Sequence, residues 1–366
     1  MIRTFAFLSA VLGAVLALQT SSAWAYQLVT VADGLDYPWC VTFLTDGEML
    51  VTERSGQLRR IARDGSVGEP ISGVPKVFFA GQGGLFDVIL DPDHQTNGLL
   101  YLSYAQGNRR SNATRVARAR LNGDALEDLE VIFTVTPAKN LPQHFGGKMV
   151  FLADGTLLLT TGEGFDFREQ AQNTQALLGK TVRINTDGSI PPDNPFANGE
   201  GGHPAVWTYG HRNPQGLLVD SATGTVYLHE HGPRGGDEIN VLVPGKNYGW
   251  PAITYGMDYS GAYVSPFTEH PGMEQPLHYW VPSIAPSGFA IYRGDEFPEW
   301  SGSFLVGALV DKEVRRVSIN ADGSTSEEAL FSELARRIRD VRVGPDGAIY
   351  LVTDGSPGQI IRVYAD

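Results

Sequence analysis

Residues 228–250 combine side chains and backbone that could bind a cation. Their sequence, LHEHGPRGGDEINVLVPGKNYGW, is rich in glycine and carries two histidines and three acidic residues. Glycine lets the backbone adopt positive φ and approach a ligand closely. The loop could therefore expose carbonyl oxygens beside the carboxylates of Asp237 and Glu238, which suits a hard cation such as Ca²⁺. The alternative is a polar loop between two strands that binds nothing, because most loops carry no site.

His144 lies in a second loop, NLPQHFGGK, directly before the apolar strand pattern at residues 149–152. The unperturbed pKa of histidine is near neutrality, so a side chain held at this point could act as a general base. The alternative, a histidine satisfied by hydrogen bonds within the loop, stays open because functional histidines are the minority.

Two glycine-flanked segments could bind a flat or anionic ligand. Gln82 lies in GQGGLFD, where small neighbours permit close approach. Arg212 and Asn213 lie in YGHRNPQG and offer a guanidinium fork beside an amide, a combination that suits anionic oxygens. The alternatives are a turn that enters a strand and a surface loop that pairs with an acidic residue.

A group of basic residues near the C-terminus indicates an anionic ligand. Arg337 and Arg339 in RRIRDVRV share one face of an extended segment, because side chains alternate along a strand. Two adjacent arginines repel each other unless an anion lies between them, so the pair predicts a carboxylate-bearing ligand. Lys312 in VDKE could join them, although it is equally typical of a hairpin turn.

Six glycine-punctuated strand patterns must position these residues. In each, a glycine after Asp, Asn, Thr or Ser precedes a run of apolar or β-branched residues, a strong hairpin signal. The glycines are Gly47, Gly98, Gly155, Gly224, Gly302 and Gly347. Six hairpins at this spacing predict an all-β fold, a six-bladed β-propeller of four-stranded antiparallel blades in one domain, residues 26–366. A pair of β-sandwiches and a β-helix are the alternatives. Helix-like patterns at residues 327–337 and 170–178 predict short surface connections.

Residues 1–25 have the pattern of a secretory signal peptide: Arg3, an apolar run, and Ala23-Trp24-Ala25 as a cleavage site. The sequence therefore predicts an exported, soluble protein without stable membrane insertion, most simply in a bacterial periplasm. Without Arg3 the chain has 27 basic and 41 acidic residues, a net charge of −14, which argues against nucleic acid as a partner. Cys40, the only cysteine, is expected to be buried and unreactive.

Seven motifs, in order, carry a resemblance to a known family: GQGGLFDV, QHFGGKMVF, GHRNPQGL, HEHGPRGGDEIN, KNYGWP, APSGFAIY and RIRDVRVGPDGAIYLVTD. They cover nearly all of the mature chain. The chain resembles the soluble quinoprotein glucose/sorbosone dehydrogenase family, and within it the periplasmic aldose sugar dehydrogenases that use pyrroloquinoline quinone (PQQ) and Ca²⁺. That family folds as a six-bladed propeller, in agreement with the six hairpins.

The resemblance implies a role for each candidate residue. His144 matches the base that takes the proton from the sugar, and Arg212 would help to polarise the quinone carbonyl. The implied cofactor contacts are Gln82, Arg212, Asn213, Tyr259, Lys312, Arg337 and Arg339. The carbonyls of Gly232 and Pro233 would hold the catalytic Ca²⁺, and Glu238 and Tyr248 a second, structural Ca²⁺.

The expected reaction oxidises an aldose at the anomeric carbon to a lactone, and an external acceptor, a cytochrome or a membrane quinone, takes the electrons. The chain departs from the glucose-oxidising members at Gln143, where they have an acid, so His144 lacks an obvious carboxylate partner. The chain is also short compared with the dimeric members, which favours a monomer. The rival hypotheses are a calcium-dependent lactonase and a non-catalytic binding propeller.

Overall fold

The computed structural model describes residues 26–365, so the predicted signal peptide lies outside the described residues. The described chain forms six four-stranded antiparallel sheets, which confirms the predicted six-bladed propeller. No helix within residues 26–365 is long and apolar enough to span a membrane.

The chain builds the blades in order around the ring. Blades 1 to 3 are formed by β2 (Pro38–Phe43), β3 (Met49–Glu53), β4 (Gln57–Ile61) and β5 (Val67–Pro70); β6 (Leu85–Leu90), β7 (Leu99–Asn108), β8 (Ser111–Asn122) and β9 (Ala125–Thr134); and β10 (Gly146–Phe151), β11 (Leu157–Thr161), β12 (Lys180–Ile184) and β13 (Val206–Tyr209). Blades 4 to 6 are formed by β14 (Pro214–Val219), β15 (Val226–Glu230), β16 (Asp237–Leu242) and β17 (His278–Trp280); β18 (Pro286–Ile291), β19 (Phe304–Ala308), β20 (Val314–Ile319) and β21 (Thr325–Leu330); and β22 (Ile338–Val343), β23 (Ile349–Thr353), β24 (Gly358–Ala365) and β1 (Tyr26–Leu35). Within residues 26–365, helical structure is limited to four short turns: His94–Asn97, Arg168–Ala171, Pro298–Trp300 and Ser332–Leu334.

The six predicted hairpin glycines each lie one or two residues before the second strand of a blade. Their φ angles lie between 67° and 86°, a left-handed conformation that other residues rarely adopt. The hairpins share one end of the disc, the hairpin face. The opposite end, where the innermost strands β2, β6, β10, β14, β18 and β22 begin, is the entry face.

The N-terminal strand closes the ring. β1 forms the outer strand of blade 6 and pairs with β24, with Tyr26 opposite Ala365. The last blade is therefore built from both ends of the described chain. Opening the ring at this blade would require separation of β1 from β24.

Strands near the channel are buried on both faces because each blade packs against its two neighbours. All residues of β3, β11 and β19 are buried, so these second strands have near-continuous apolar runs instead of strict alternation. The third strand β12 is also buried throughout, although it contains Lys180 and Arg183. The predicted helix-like segment at residues 327–337 is wrong: β21 and the turn Ser332–Leu334 occupy it, because Glu328 pairs across the sheet with Arg316. At residues 170–178 the structure has only the end of the turn Arg168–Ala171 and then irregular chain.

A charged cluster fills the channel beneath the entry face. Lys148 Nζ lies 3.4 Å from Asp87 Oδ1 and 3.2 Å from Asp340 Oδ1, and Arg342 Nε lies 2.9 Å from Asp340 Oδ2. Cys40 is fully buried beside Arg342, and burial raises the pKa of its thiol, as expected for an unreactive cysteine. The cluster connects blades 2, 3 and 6 across the channel.

Candidate active site

At the entry face, candidate residues lie in facing pairs, with one member next to the first strand of a blade and the other next to the second strand. Where these strands separate, their antiparallel register extends by one or two residues, so the residue before the first strand faces the residue after the second. In blades 3, 4 and 6 the pairs formed in this way are His144 with Glu163, Arg212 with Gly232, and Arg337 with Asp354.

His144 has a buried carboxylate partner, which corrects the expectation that it lacks one. Glu163 Oε1 lies 2.9 Å from His144 Nδ1, and both side chains are nearly inaccessible to solvent. Burial lowers the pKa of His144 well below its ordinary value, and the nearby charges of Arg212 and Lys139 lower it further. Burial raises the pKa of Glu163 to about 7, against the opposing charge of Arg212. A neutral His144 that donates Nδ1–H to Glu163 keeps a lone pair on Nε2, and Nε2 has no hydrogen-bond partner among residues 26–365.

The backbone around His144 fixes the direction of its ring. His144 has a φ of 49°, and its N–H donates to Gln82 Oε1 at 2.8 Å. The rings of Phe165 and His144 pack in a T-shaped arrangement with centroids 5.1 Å apart. A Cβ at Gly162 would lie 2.4 Å from the carbonyl of His144, so only glycine permits this approach. The sequence thus dictates both the position and the orientation of the imidazole.

Arg212 anchors the second part of the site. Its Nη1 donates to the carbonyl oxygen of Gly232 at 2.6 Å and to that of His231 at 3.2 Å. The guanidinium also faces the rings of Trp250 and Tyr259, at 5.2 and 5.9 Å. Its Nε is buried without a hydrogen-bond partner in the described chain. The positive charge of Arg212 thus lies against the carbonyl oxygen of Gly232.

A cavity of about 300 Å³ opens on the entry face beside these residues. Three arginines line it, and its walls include the aromatic rings of Trp39, Phe86 and Phe145. The polar lining residues are Arg54, Gln82, Asn213, Gln215, His231, Arg337, Arg339 and Asp354. Gln82, Asn213, Arg337 and Arg339 therefore line one cavity.

The anion expected between the two arginines is partly supplied by the chain itself. Asp354 Oδ2 lies 2.8 Å from Arg337 Nε, and Asp354 Oδ1 lies 3.1 Å from Arg339 Nη2. Burial raises the pKa of Asp354, but the charges of Arg339 and Arg337 outweigh it and hold the pKa below its ordinary value. With Arg54 included, the lining carries three positive charges and one negative, so the cavity still favours an anionic, flat ligand.

Besides Arg212, two predicted cofactor contacts lie outside the cavity lining. Lys312 is exposed in the β19–β20 turn with a φ of 61°, as its hairpin alternative suggests. Tyr259 is 60% exposed at the rim, where its ring lies 6.5 Å from that of Phe165 at an interplanar angle of 19°. A bound ligand would have to extend beyond the cavity to meet either side chain.

The loop at residues 228–250 supplies few free oxygens for a cation. Asp237 is used internally: its carboxylate accepts from the N–H groups of Gly232, Ile284 and Ala285 and from the hydroxyl of Ser283. No group of three or more His, Cys, Asp or Glu side chains in the described chain is arranged as a metal site. A cation here would depend on carbonyl oxygens and on oxygens from a ligand or water, because Ca²⁺ takes about six to eight.

Glu238 and Tyr248 line a small cavity of about 10 Å³ together with Glu230, Arg212 and Gly232. Burial and the charge of Glu230 raise the pKa of Glu238 to about 8. The hydroxyl of Tyr248 is already bonded to the backbone at residues 241 and 243, which leaves its carbonyl as the oxygen that could bind a cation. Both carboxylate oxygens of Glu230 are already engaged, by His211 Nδ1 and by the N–H of Arg212, so Glu238 is the carboxyl group in this space that could bind a cation.

Sequence reasoning missed Glu163, Arg54 and Asp354. The signal for Glu163 is the hairpin register: Gly146 pairs with Thr161, so the residue two positions before Gly146 faces the residue two positions after Thr161. The same extension predicts the Arg337–Asp354 pair. Arg54 follows β3 at the same end of blade 1 and gives no local signal of its own.

The chain is similar to known proteins along most of its length. The chain matches the family model described as Glucose / Sorbosone dehydrogenase over residues 35–362. It is 41% identical to aldose sugar dehydrogenase YliI of Escherichia coli strain K12, over 94% of this chain and 95% of that protein. A solved glucose dehydrogenase is 44% identical with a TM-score of 0.90, over 93% of this chain and 100% of that one. The PQQ-bound form of an aldose sugar dehydrogenase from Streptomyces coelicolor is 27% identical with a TM-score of 0.76, over 93% of this chain and 98% of that one. The likeness therefore covers the whole propeller.

Proposed function

The chain belongs to the glucose/sorbosone dehydrogenase family, and from this membership and the geometry of the site we propose that it is an exported aldose sugar dehydrogenase that uses PQQ and Ca²⁺. The observation that carries the proposal is the buried His144–Glu163 pair beside an arginine-lined cavity. The relatives named as aldose sugar dehydrogenases, one of them with PQQ bound, support it.

The cavity residues fit a flat polycarboxylate. Arg54, Arg337 and Arg339 would hold carboxylates, and the buried Nε of Arg54 has no hydrogen-bond partner in the described chain and could donate to one. Gln82 and Asn213 would supply amide contacts, with Tyr259 and Lys312 at the outer edge. PQQ, when bound, accepts the hydride from the sugar and so supplies the redox chemistry.

The base in this proposal is Nε2 of His144. It takes the proton of the anomeric hydroxyl, while Glu163 holds the ring in the required tautomer and stabilises the imidazolium that forms. Arg212 places a fixed positive charge where negative charge develops on an oxygen, which lowers the barrier without reorganisation of solvent. Burial of these three side chains excludes water from the proton transfer.

For Ca²⁺ we assign the carbonyls of Gly232 and Pro233 to the catalytic ion, and Glu238 with the carbonyl of Tyr248 to a second ion. Arg212 already donates to the Gly232 carbonyl, so this oxygen is oriented toward positive charge. A bound Ca²⁺ would act as a Lewis acid. The product is a lactone, and the external electron acceptor is a cytochrome or a membrane quinone. We expect a periplasmic monomer.

The test is reconstitution of metal-stripped protein. PQQ is added with and without Ca²⁺, a panel of aldoses is supplied, and reduction of an artificial dye is followed in parallel with quinone binding. Activity that needs both additions, and that falls by about 10² to 10⁴ in His144→Ala while quinone binding remains, supports the proposal. Absence of quinone binding would contradict it and favour a calcium-dependent lactonase. Quinone binding without turnover of any aldose would favour a binding propeller.

A further inference from the structure

Blade 2 carries a second, basic cleft on the entry face. Its volume is about 640 Å³, and its titratable lining residues are Lys76 and Arg115, with no acidic residue in the lining. Arg109 and Arg110 lie at the tip of the β7–β8 hairpin and are exposed. Asn108, which also lines the cleft, accepts from the N–H of Arg110 at 2.8 Å and so shapes the hairpin turn. Four basic residues therefore surround one concave surface.

Such a group is unusual on an acidic chain. Most of the other arginines pair with carboxylates, but none of these four basic residues forms a salt bridge within residues 26–365. Burial raises the pKa of the Tyr104 hydroxyl, and the nearby positive charge of Arg115 opposes this rise. Unpaired like charges repel one another, so an anionic partner would relieve their repulsion.

The hairpin also projects from the disc. Strands β7 and β8 are 10 and 12 residues long, whereas the second strand of every other blade has five. The extra length lies at the entry face, because β7 runs toward it. An open cleft with a projecting rim fits a macromolecular surface better than a single small ion.

The cleft shares its wall with the active site. Lys76 and Gln82 belong to one short segment, so the cleft and the cofactor cavity lie at its two ends. On the other side, Asn112 Oδ1 in the cleft accepts a hydrogen bond from Lys139 Nζ at 3.0 Å. The same Nζ lies 3.4 Å from the ring centroid of Phe145, which lines the cavity. A partner bound in the cleft would lie next to the redox centre.

We propose that this cleft is the docking surface for the electron acceptor, a small one-electron redox protein with a carboxylate-rich face. The inference rests on the proposed function. Oxidation of one aldose to its lactone releases two electrons and two protons, so two acceptor molecules are reduced in turn and the protons pass to water. The cleft binds each acceptor by charge and places it beside the cavity.

The test separates docking from sugar chemistry. The reconstituted enzyme is reduced with aldose in a stopped-flow instrument, and its reoxidation is then followed with plastocyanin, which has an acidic face, with cytochrome c, which has a basic face, and with ferricyanide. The variants are Arg110→Glu and Arg109→Glu/Arg110→Glu. The control is Arg63→Glu, an equal charge change at an exposed arginine on the hairpin face. Binding of plastocyanin to the cofactor-free protein is measured in parallel.

With plastocyanin we expect the double variant to lose about tenfold in reoxidation rate at low ionic strength, together with most of its salt dependence. Plastocyanin binding to the cofactor-free protein should weaken by a similar factor, while the rate of reduction by aldose and the Arg63→Glu control stay unchanged. Unchanged plastocyanin kinetics and binding in the double variant would overturn the inference. An equal loss with ferricyanide would also overturn it, since the cleft would then bind small anions generally. If no aldose reduces the enzyme, the proposed function fails, and binding to the cofactor-free protein still decides the docking surface.

Discussion

Glu163 faces His144 directly across the β10–β11 hairpin, with Oε1 2.9 Å from Nδ1. The pair is a consequence of register, because the residues before β10 and after β11 continue the antiparallel pairing beyond the last strand residues. The carboxylate fixes the tautomer of the imidazole and leaves Nε2 as the atom that can accept a proton. The proposed base therefore has a carboxylate partner, although the residue directly before it is Gln143.

The first prediction concerns pH. The pKa of Glu163 is raised to about 7 and that of His144 is lowered, so kcat/KM should decrease as the pH falls through about 7, where Glu163 loses its charge. Glu163→Gln keeps a hydrogen-bond acceptor but carries no charge at any pH. We expect kcat to fall by about 10- to 100-fold and the decrease near pH 7 to disappear. Steady-state kinetics from pH 5 to 9 would check this.

If the Glu163→Gln variant keeps the same decrease in kcat/KM near pH 7, the group that titrates there is not Glu163. Quinone affinity serves as the control, because Glu163 does not line the cavity and its substitution should leave cofactor binding intact.

The second prediction concerns cofactor affinity. Arg339 is 8% exposed and lines the cavity, whereas Arg336, three residues earlier, is exposed outside it. A hydrogen bond to a charged group contributes roughly 1.5–3 kcal/mol, so Arg339→Gln should weaken PQQ binding by about tenfold or more. Arg336→Gln removes the same charge and should leave the Kd unchanged. Fluorescence titration measures both, and equal losses would mean that only net charge matters.

The sequence predicts the propeller because its decisive signals are local. Each hairpin glycine, such as Gly155, needs a positive φ whatever surrounds it, and the following apolar run marks the second strand. The helix predicted at residues 327–337 is wrong for the opposite reason. The alanine, leucine and glutamate residues of this segment favour a helix, but the pairing of β21 with β20 outweighs that propensity.

Only part of the site could be predicted, because some of its residues lie in distinctive motifs and others do not. His144, Arg212 and Arg339 are distinctive within their own motifs, whereas Asp354 is identified only by the residue that it faces across a hairpin. The neighbouring charges of Arg337 and Arg339 do require negative charge nearby, and the side chain of Asp354 supplies part of it. The turn at Lys312 was predictable, but its position relative to the cavity was not, because the course of a turn depends on the packing of its blade.

The third prediction concerns stability. Lys148 lies between Asp87 and Asp340 in the channel and also 4.4 Å from the ring of Trp39. Lys148→Met removes the cation and leaves two buried carboxylates opposed by Arg342 alone. Breaking a buried ion pair costs roughly 3–5 kcal/mol, so the Tm should fall by several degrees. The control is Lys246→Met, which removes an exposed lysine from a surface pair with Glu274 and should change the Tm little. An equal effect of both would show that the channel cluster is not a structural link between blades.

The last prediction tests whether steric contact alone positions the base. Gly162 does not need a positive φ, but a Cβ there would lie 2.4 Å from the His144 carbonyl and 3.0 Å from Asn213 Oδ1. Gly162→Ala must therefore displace the His144 loop, and a small misplacement of a catalytic group is costly, so we expect kcat/KM to fall by about 10- to 100-fold. Gly155→Ala, at the far end of the same blade, would be strained by a φ of 79°, but no atom lies within 4 Å of the added Cβ. It should lower stability by about 1 kcal/mol and leave kcat/KM unchanged. If Gly162→Ala lowered the Tm but kept full activity, the loop could move without loss of the base, and the close approach at Gly162 would matter for folding only.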